Sequence, residues 1–441
     1  IGQTLTHMRN GKNVCIVAPT GAGKGTMAVV LAAMASKGKV VFIVHRVEII
    51  RDIGQRAERA GIESVALWTA GRVEGDPDAQ FHVMGIQTIV ARTGQLPDAS
   101  LVIWDECHHV KADTYQEVRR YYSNARHVGF TATPIRGDGQ PLRGTFDVMV
   151  QSQQIGELMQ RGNLVRSLVT WNPPAGGGDE GNVLAMDPYQ AWDKYAEGEQ
   201  TVIFCDLKSE AIAYKDQFEE NGVPAACIFG DTPKEMRKII LDAFAAGTLP
   251  VLLNVMVLTE GWDCPPAGCC ILARSSAGHL GTYLQMVGRV LRAYVGDDGK
   301  HIKKRAILVD LGRAVDKHGL ASADREWDLN SAKKNGKKLK SDNLAKCPEC
   351  FTVFEYKPQK GKRKTCPSCG YVFPKAEVSE KEFTDIDLML TTAGTFDVGS
   401  AQDQLRRRMY KDWLRAAKAM GNDPEWADQC YFNTFGEYPD K

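Results

Sequence analysis

At 441 residues, 43% of them hydrophobic and 25% charged, the chain is longer than one hydrophobic core fills, so two large domains and a smaller one are expected. A formal net charge of +1 excludes a globally basic polyanion binder, yet residues 331–364 hold eleven Lys and Arg against three acids, a local basic patch. No apolar run approaches the ~18 residues of a membrane span, and no charged-then-apolar signal pattern follows Ile1, upstream of which further residues are expected.

Over residues 13–150, short β-rich apolar runs at 14–18, 40–44, 81–84, 101–104 and 128–130 alternate with helical stretches. Continuous apolar runs between helices predict a parallel sheet covered on both faces. After the break Trp-Asn-Pro-Pro-Ala-Gly-Gly-Gly at 171–178, a second series at 201–205, 225–229, 251–255, 269–273 and 306–310 predicts a second α/β lobe. The expected division is a first lobe over 1–152 and a second over 153–325. A Lys-rich solvated linker follows at 326–345, then a cysteine module at 346–375 and a segment at 376–441 whose best helical stretch is 405–420.

Two segments carry phosphate chemistry. Ala18-Pro19-Thr20-Gly21-Ala22-Gly23-Lys24-Gly25-Thr26 follows a strand and opens a helix, the setting of a P-loop. There glycines let backbone N–H groups close around phosphate oxygens and Lys24 reaches the terminal phosphates of ATP. The position after the lysine, which wants Ser or Thr for Mg²⁺, is Gly25, and Thr26 comes one residue late, ~100° further round a helix. Weakened metal affinity or turnover is the expectation. The second segment is the buried-strand pattern at 101–104 ending in Asp105-Glu106-Cys107-His108. Two acids at a strand's carboxyl end suit phosphoryl transfer, Asp105 holding Mg²⁺ and Glu106 orienting or deprotonating the attacking water.

Asp-Glu-Cys-His resembles the motif II box of superfamily 2 helicases, and other segments agree in order over residues 11–311. Thr131-Ala132-Thr133-Pro134 resembles their motif III, Leu258-Thr259-Glu260-Gly261-Trp262-Asp263 motif V, and Gln285-Met286-Val287-Gly288-Arg289-Val290-Leu291-Arg292 motif VI. The resemblance implies two RecA-like parallel-sheet lobes. Gln285, Arg289 and Arg292 join Lys24, Asp105 and Glu106 as the catalytic set, and Gly261 and Asp263 join the P-loop at the nucleotide. Arg289 and Arg292, expected one helical turn apart on one face, would point across the cleft at the γ-phosphate. It also implies nucleic-acid contacts at His45, Arg46, Gln87, Thr88, Lys208, Thr259 and Tyr283. The family's adenine-reading segment would lie upstream of Ile1, and Gln3 is assigned no base contact.

Of twelve cysteines, eight are scattered or sit in apolar runs and read as reduced core residues. Cys347-Pro-Glu-Cys350 and Cys366-Pro-Ser-Cys369-Gly370 have the spacing of a tetrahedral four-cysteine Zn²⁺ ribbon, with Gly370 in the knuckle. Phe351, Phe354, Tyr356, Tyr371 and Phe373 either stack bases or form the ribbon's small core. A zinc ribbon after motif VI is similar to RadD-type bacterial and phage DNA-repair helicases. That implies single-stranded or forked DNA as partner, with RNA as the alternative, and the cytoplasm of a bacterium or phage-infected cell. A protein partner for the last segment is a further expectation. The competing reading is a nucleic-acid-binding zinc-ribbon protein with weak or no ATPase because of Gly25.

Overall fold

The computed structural model describes residues 1–35, 38–45, 48–69, 72–92, 95–109, 113–135, 142–165, 168–172, 184–274, 278–296, 298, 301–330, 337–338, 344–346, 352–356, 364–366, 370–373, 389–393, 425 and 428. The first lobe begins with α1 (Gly2–Arg9), β1 (Val14–Val17), α2 (Lys24–Ala33), β2 (Val40–Val44), α3 (Glu48–Arg59), β3 (Val65–Thr69) and β4 (Arg72–Glu74). It continues through β5 (Phe81–Gly85), α4 (Ile86–Ala91), β6 (Leu101–Trp104), α5 (Asp113–Tyr121), β7 (Arg126–Thr131) and β8 (Val148–Gln151).

Its eight strands lie in the order β4-β3-β5-β2-β6-β7-β1-β8, all parallel except the β3–β4 hairpin. Alternation along each strand explains the unbroken apolar runs. Val14 and Ile16 of β1 face one core with α1, α2 and α3, while Cys15 and Val17 face another with α4 and α5. β3 escapes a search for apolar runs because its burial alternates, and β8 because it is half-covered at the sheet edge.

The second lobe runs α6 (Ile155–Gln160), β9 (Leu168–Asn172), α7 (Pro188–Ala196), β10 (Thr201–Cys205), α8 (Lys208–Glu220), β11 (Ala225–Ile228), α9 (Lys234–Ala245) and β12 (Val251–Asn254). Then come β13 (Cys269–Ala273), α10 (Leu280–Gly288), β14 (Ala306–Asp310) and α11 (Ala314–His318). Local chemistry fixes the helix starts. Asp187 caps α7 by accepting from Gln190 N at 3.0 Å, with Pro188 as the first helical residue. Buried Asp310 accepts from Ala314 N and Val315 N at 3.0 and 2.6 Å and caps α11.

Beyond the lobes are β15 (Arg325–Glu326), β16 (Lys337–Lys338), β17 (Leu344–Lys346), β18 (Thr352–Glu355) and β19 (Met389–Ala393). The second sheet is ordered β11-β12-β10-β13-β14-β9-β19-β18-β17. β19 pairs antiparallel with β9 and so covers an edge whose backbone groups would otherwise be unpaired. Strands from the segments expected to be linker, cysteine module and tail thus extend the second lobe's sheet.

The expected solvated linker also differs at its start. Trp327 packs against the cores of both lobes, and Leu329 is buried in the first. Arg325 N donates to Gln154 Oε1 at 2.6 Å and Arg143 N to Leu329 O at 3.0 Å. Among the described residues the chain therefore passes between lobes near 151–155 and again at 325–329. Tryptophan and leucine within a polar stretch were the signal for this packing. Among the described residues no helix is long and apolar enough to cross a membrane. The helical stretch expected at 405–420 lies outside them.

Candidate nucleotide site between the lobes

Between β1 and α2 the chain turns through Gly21 at φ +91° and Gly23 at φ +80°, a backbone that side-chain-bearing residues rarely adopt. Thr20, Gly21, Ala22 and Gly23 thus form a tight loop that delivers Lys24 to the start of α2. The Lys24 ammonium lies 3.3 Å from Glu106 Oε1 and 3.4 Å from Ala18 O. The cation expected to reach phosphate thus rests on the carboxylate expected to act on water.

β6 ends in Asp105, and Glu106 follows at φ +43°, an uncommon value for a residue with a side chain. His108 Nδ1 sits 2.9 Å from Thr131 Oγ1 and 3.3 Å from Glu106 Oε2. Burial and then the adjacent Glu106 charge push Asp105 up to about 7. Burial pushes Glu106 up too, but Lys24 and His108 outweigh it and hold its carboxyl well below the usual range. Two part-buried hard-oxygen donors, Asp105 held up first by burial and then by the Glu106 charge, fit Mg²⁺. Bound there, the ion would neutralise charge on the phosphate oxygens.

Gly25 has a physical counterpart. A Cβ at that position would lie 3.0 Å from Ile53 Cδ1, so a Ser or Thr side chain there requires that methyl of α3 to give way by a few tenths of an ångström, more for Thr than for Ser. Thr26 is exposed and one position further round α2.

The second lobe closes directly on this loop. A Cβ at Gly21 would meet Leu164 Cδ2 at 2.5 Å and Arg292 Nη1 at 3.5 Å, and one at Gly288 would meet Thr20 Cβ at 2.6 Å. Both glycines are therefore required where the lobes touch. Arg289 is buried and donates to Trp262 O; burial, followed by the Arg292 charge, pulls it down to about 10. Arg292 Nε lies 3.1 Å from Asp263 Oδ1, and Gln285 donates to Glu260 Oε1 at 3.0 Å. Gly261, at φ +68°, turns the chain between Glu260 and Trp262.

One expectation fails in detail. α10 ends at Gly288, and Arg292 lies in a bridge with Leu164 beyond it, so the two arginines do not share a helix face. The close approach of Gly288 to Thr20 marks the point where the helix stops.

Lys303 was absent from the expected site. It is buried, and its ammonium donates to Pro265 O, Ala267 O and Val290 O at 2.7, 2.9 and 3.0 Å, tying the loop after Asp263 to the arginine segment. One lysine within the basic run Lys303-Lys304-Arg305 carries no sequence signal for that role.

The expected nucleic-acid residues scatter. His45 and Gln87 lie at the neighbouring ends of β2 and β5, Gln87 exposed and His45 half-buried. Lys208 is exposed at the start of α8 and pairs with Asp231 at 2.7 Å. Tyr283 is a correction: it is wholly buried and its hydroxyl donates to Gly319 O at 3.1 Å, so it anchors α10 in the core and faces no ligand. Thr88 and Thr259 are buried as well. Arg46 lies outside the described residues, as do Cys347, Cys350 and Cys369.

Cys366 is buried in a turn closed by Gly370 N to Cys366 O at 3.0 Å and Cys366 N to Tyr371 O at 2.7 Å, with Gly370 at φ +74°. Tyr356, Tyr371 and Phe373 pack against it, which favours the small-core role for these three aromatics.

Comparison with known proteins accords with this geometry. The family model described as the type III restriction enzyme res subunit matches residues 1–136, and that for the helicase conserved C-terminal domain matches 187–294. A 51.5 kDa protein of a Lactococcus phage is 28% identical over 397 residues, covering 85% of this chain and 81% of that protein. IRC3 of Saccharomyces cerevisiae, named as an ATP-dependent helicase, is 24% identical over 322 residues, and the chain spans 47% of its length. A fragment named as an HsdR subunit of a type I restriction enzyme from Vibrio vulnificus shares the fold, with a TM-score of 0.54 at 18% identity. The likeness covers 78% of this chain and 66% of that one.

Proposed function

We propose that this chain, a nucleic-acid-dependent ATPase built on a superfamily 2 helicase core, is an ATP-driven DNA translocase or helicase of RadD type that serves DNA repair or replication in a bacterium or phage-infected cell. The observation that carries the reading is the meeting of two half-sites: Lys24, Asp105 and Glu106 on one lobe, Arg289 and Arg292 on the other, pressed together at Gly21 and Gly288. ATP entering the cleft draws Lys24 from Glu106 onto the phosphates. Glu106, released as a carboxylate, takes the proton of the attacking water as the bond from the γ-phosphorus to the β–γ bridging oxygen breaks. Arg289 and Arg292 meet the charge that develops on the transferred group. Because these arginines belong to the opposite lobe, hydrolysis depends on closure, and closure alternating with opening moves the lobes along a strand.

DNA is favoured over RNA by the restriction-subunit family model over the first lobe. The spacing of Cys347, Cys350, Cys366 and Cys369 supports a structural Zn²⁺, and the buried Cys366 turn with Gly370 at its knuckle is compatible with it. Residues 376–441, of which β19 joins the second lobe's sheet, are proposed to take a protein partner. A second reading, DNA binding with feeble hydrolysis, is favoured by the Ile53 methyl at Gly25.

The test compares ATP hydrolysis in the presence of single-stranded DNA, forked DNA and single-stranded RNA of equal length. Greater stimulation by DNA, weakening steeply with salt as phosphate-directed binding requires, supports the proposal. Stimulation by RNA alone would overturn the choice of substrate.

A further inference from the structure

Three histidine rings lie in contact between the carboxyl end of β2 and the catalytic carboxylate. His45, the residue after β2, stacks on His109 with ring centroids 4.8 Å apart and planes 17° apart. The His109 ring leans on His108 at 4.1 Å, and His108 Nδ1 is 3.3 Å from Glu106 Oε2. Glu106 is thus two rings away from His45. The other edge of His109 reaches the opposite lobe: Nε2 lies 3.3 Å from Glu260 Oε1, the atom that also accepts from Gln285 Nε2 at 3.0 Å. His109 stands where these two chains of contact cross.

The surroundings favour a coupling role over simple packing. His108 and His109 occupy a single turn after β6, and both remain partly accessible, as do His45 and Glu260. A buried core would hold such rings whatever the lobes did. Here one partner, Glu260, belongs to the opposite lobe, so the contact at His109 Nε2 spans the cleft. Exposed Gln87 lies near His45, since Val44 of β2 pairs with Gly85 of β5, which places a polar, accessible side chain at the far end of the stack.

We infer that His109 is a positioning residue that makes the water-activating carboxylate answer to both nucleic acid and lobe closure. A nucleic-acid backbone settling against the end of β2 presses His45 onto His109. Lobe closure brings Glu260 to the same ring from the other side. With both in place, His109 fixes His108, and His108 in turn fixes the Glu106 carboxylate and the Thr131 hydroxyl, 2.9 Å from it. This rests on the function proposed above. It adds the route by which a bound strand raises the rate of hydrolysis.

The experiment measures steady-state ATP hydrolysis with and without single-stranded DNA and, separately, single-stranded RNA. It uses the full chain and its His109→Ala, His109→Gln, His45→Ala and His45→Ala/His109→Ala variants. His109→Ala is expected to lose about fivefold or more of the stimulation, while its unstimulated rate and its KM for ATP stay near those of the parent. His109→Gln, which keeps a donor for Glu260 but not the stacked ring, is expected to fall between. The double variant is expected to be no worse than His109→Ala, because the two rings act in series. Stimulated and unstimulated rates falling by the same factor, or additive losses in the double variant, would reduce His109 to a packing role and overturn the inference while leaving the proposed function standing. A parent that neither polymer stimulates would overturn both.

Discussion

The two lobes hold their charged residues in opposite ways. In the first, Lys24 and Glu106 are bound to each other, a pairing that must break before either can act. In the second, Arg289 is tied to Trp262 O, Gln285 to Glu260, and the segment between the arginines to Lys303 through Val290 O. On the proposed function, the first half-site is one that its ligand would rearrange, whereas the second is already held by its own bonds and would be delivered by closure. Changes in the second lobe should therefore disturb delivery of the arginines, and changes in the first should disturb metal, phosphate or water.

Arg289→Ala is expected to have the largest effect, a loss of about 10³-fold in kcat, with ATP binding retained because the P-loop is untouched. A loss below tenfold, in a rapid-quench or coupled assay, would break the division between the halves. Lys303→Met comes next. Removing an ammonium that serves three backbone carbonyls leaves them unpaired at a cost of about 2 kcal/mol or more, read as a lower second-lobe unfolding midpoint together with a lower kcat. An unchanged midpoint would mean that the arginine segment holds itself in place.

Acid should separate the lobes. His82 and His127, both in the first, accept indole N–H donors on Nδ1 from Trp68 and Trp104 at 3.1 and 3.0 Å. Burial pushes each down to about 4. Unfolded, each titrates near its ordinary 6.5, so the unfolded chain binds more protons between these values. The stability they contribute is complete above about pH 6.5 and falls as pH drops toward about 4, by about 1–3 kcal/mol per ring. Urea midpoints followed by tryptophan fluorescence at neutral pH and near pH 5 check this, and His127→Asn should remove part of the dependence.

The smallest effect is a gain. Gly25→Ser should tighten the Mg²⁺ requirement of hydrolysis about fivefold or less. Gly25→Thr should gain less than Ser unless Ile53→Val makes room. A serine variant with an unchanged Mg²⁺ titration would show that the missing hydroxyl is not what limits the metal.

What was legible in the sequence follows the same contrast. Glycines at positive φ, a lysine after them and acids at a strand end leave a local signature, so the P-loop and the Asp105-Glu106 pair could be read directly. The strands from β10 to β14 could be read because a doubly covered sheet demands unbroken apolar runs. Contacts between distant segments left no such trace. His109 and Glu260 are 151 positions apart, and nothing near either marks the pair. Tyr283 was misplaced because adjacency to a motif says nothing about helix face; two residues before Gln285 it points into the core. Arg289 and Arg292 were placed on a continuous helix because nothing in the local sequence shows that Gly288 meets Thr20. Trp327 and Leu329 were hidden by the lysines that follow them.

The most direct test of the account is ATP hydrolysis with Mg²⁺, with and without single-stranded DNA, for the parent and for Glu106→Gln. The account predicts a DNA-stimulated rate that falls by about 10²-fold or more in the variant while ATP still binds. A slow background that DNA does not raise and the variant does not lower would contradict it.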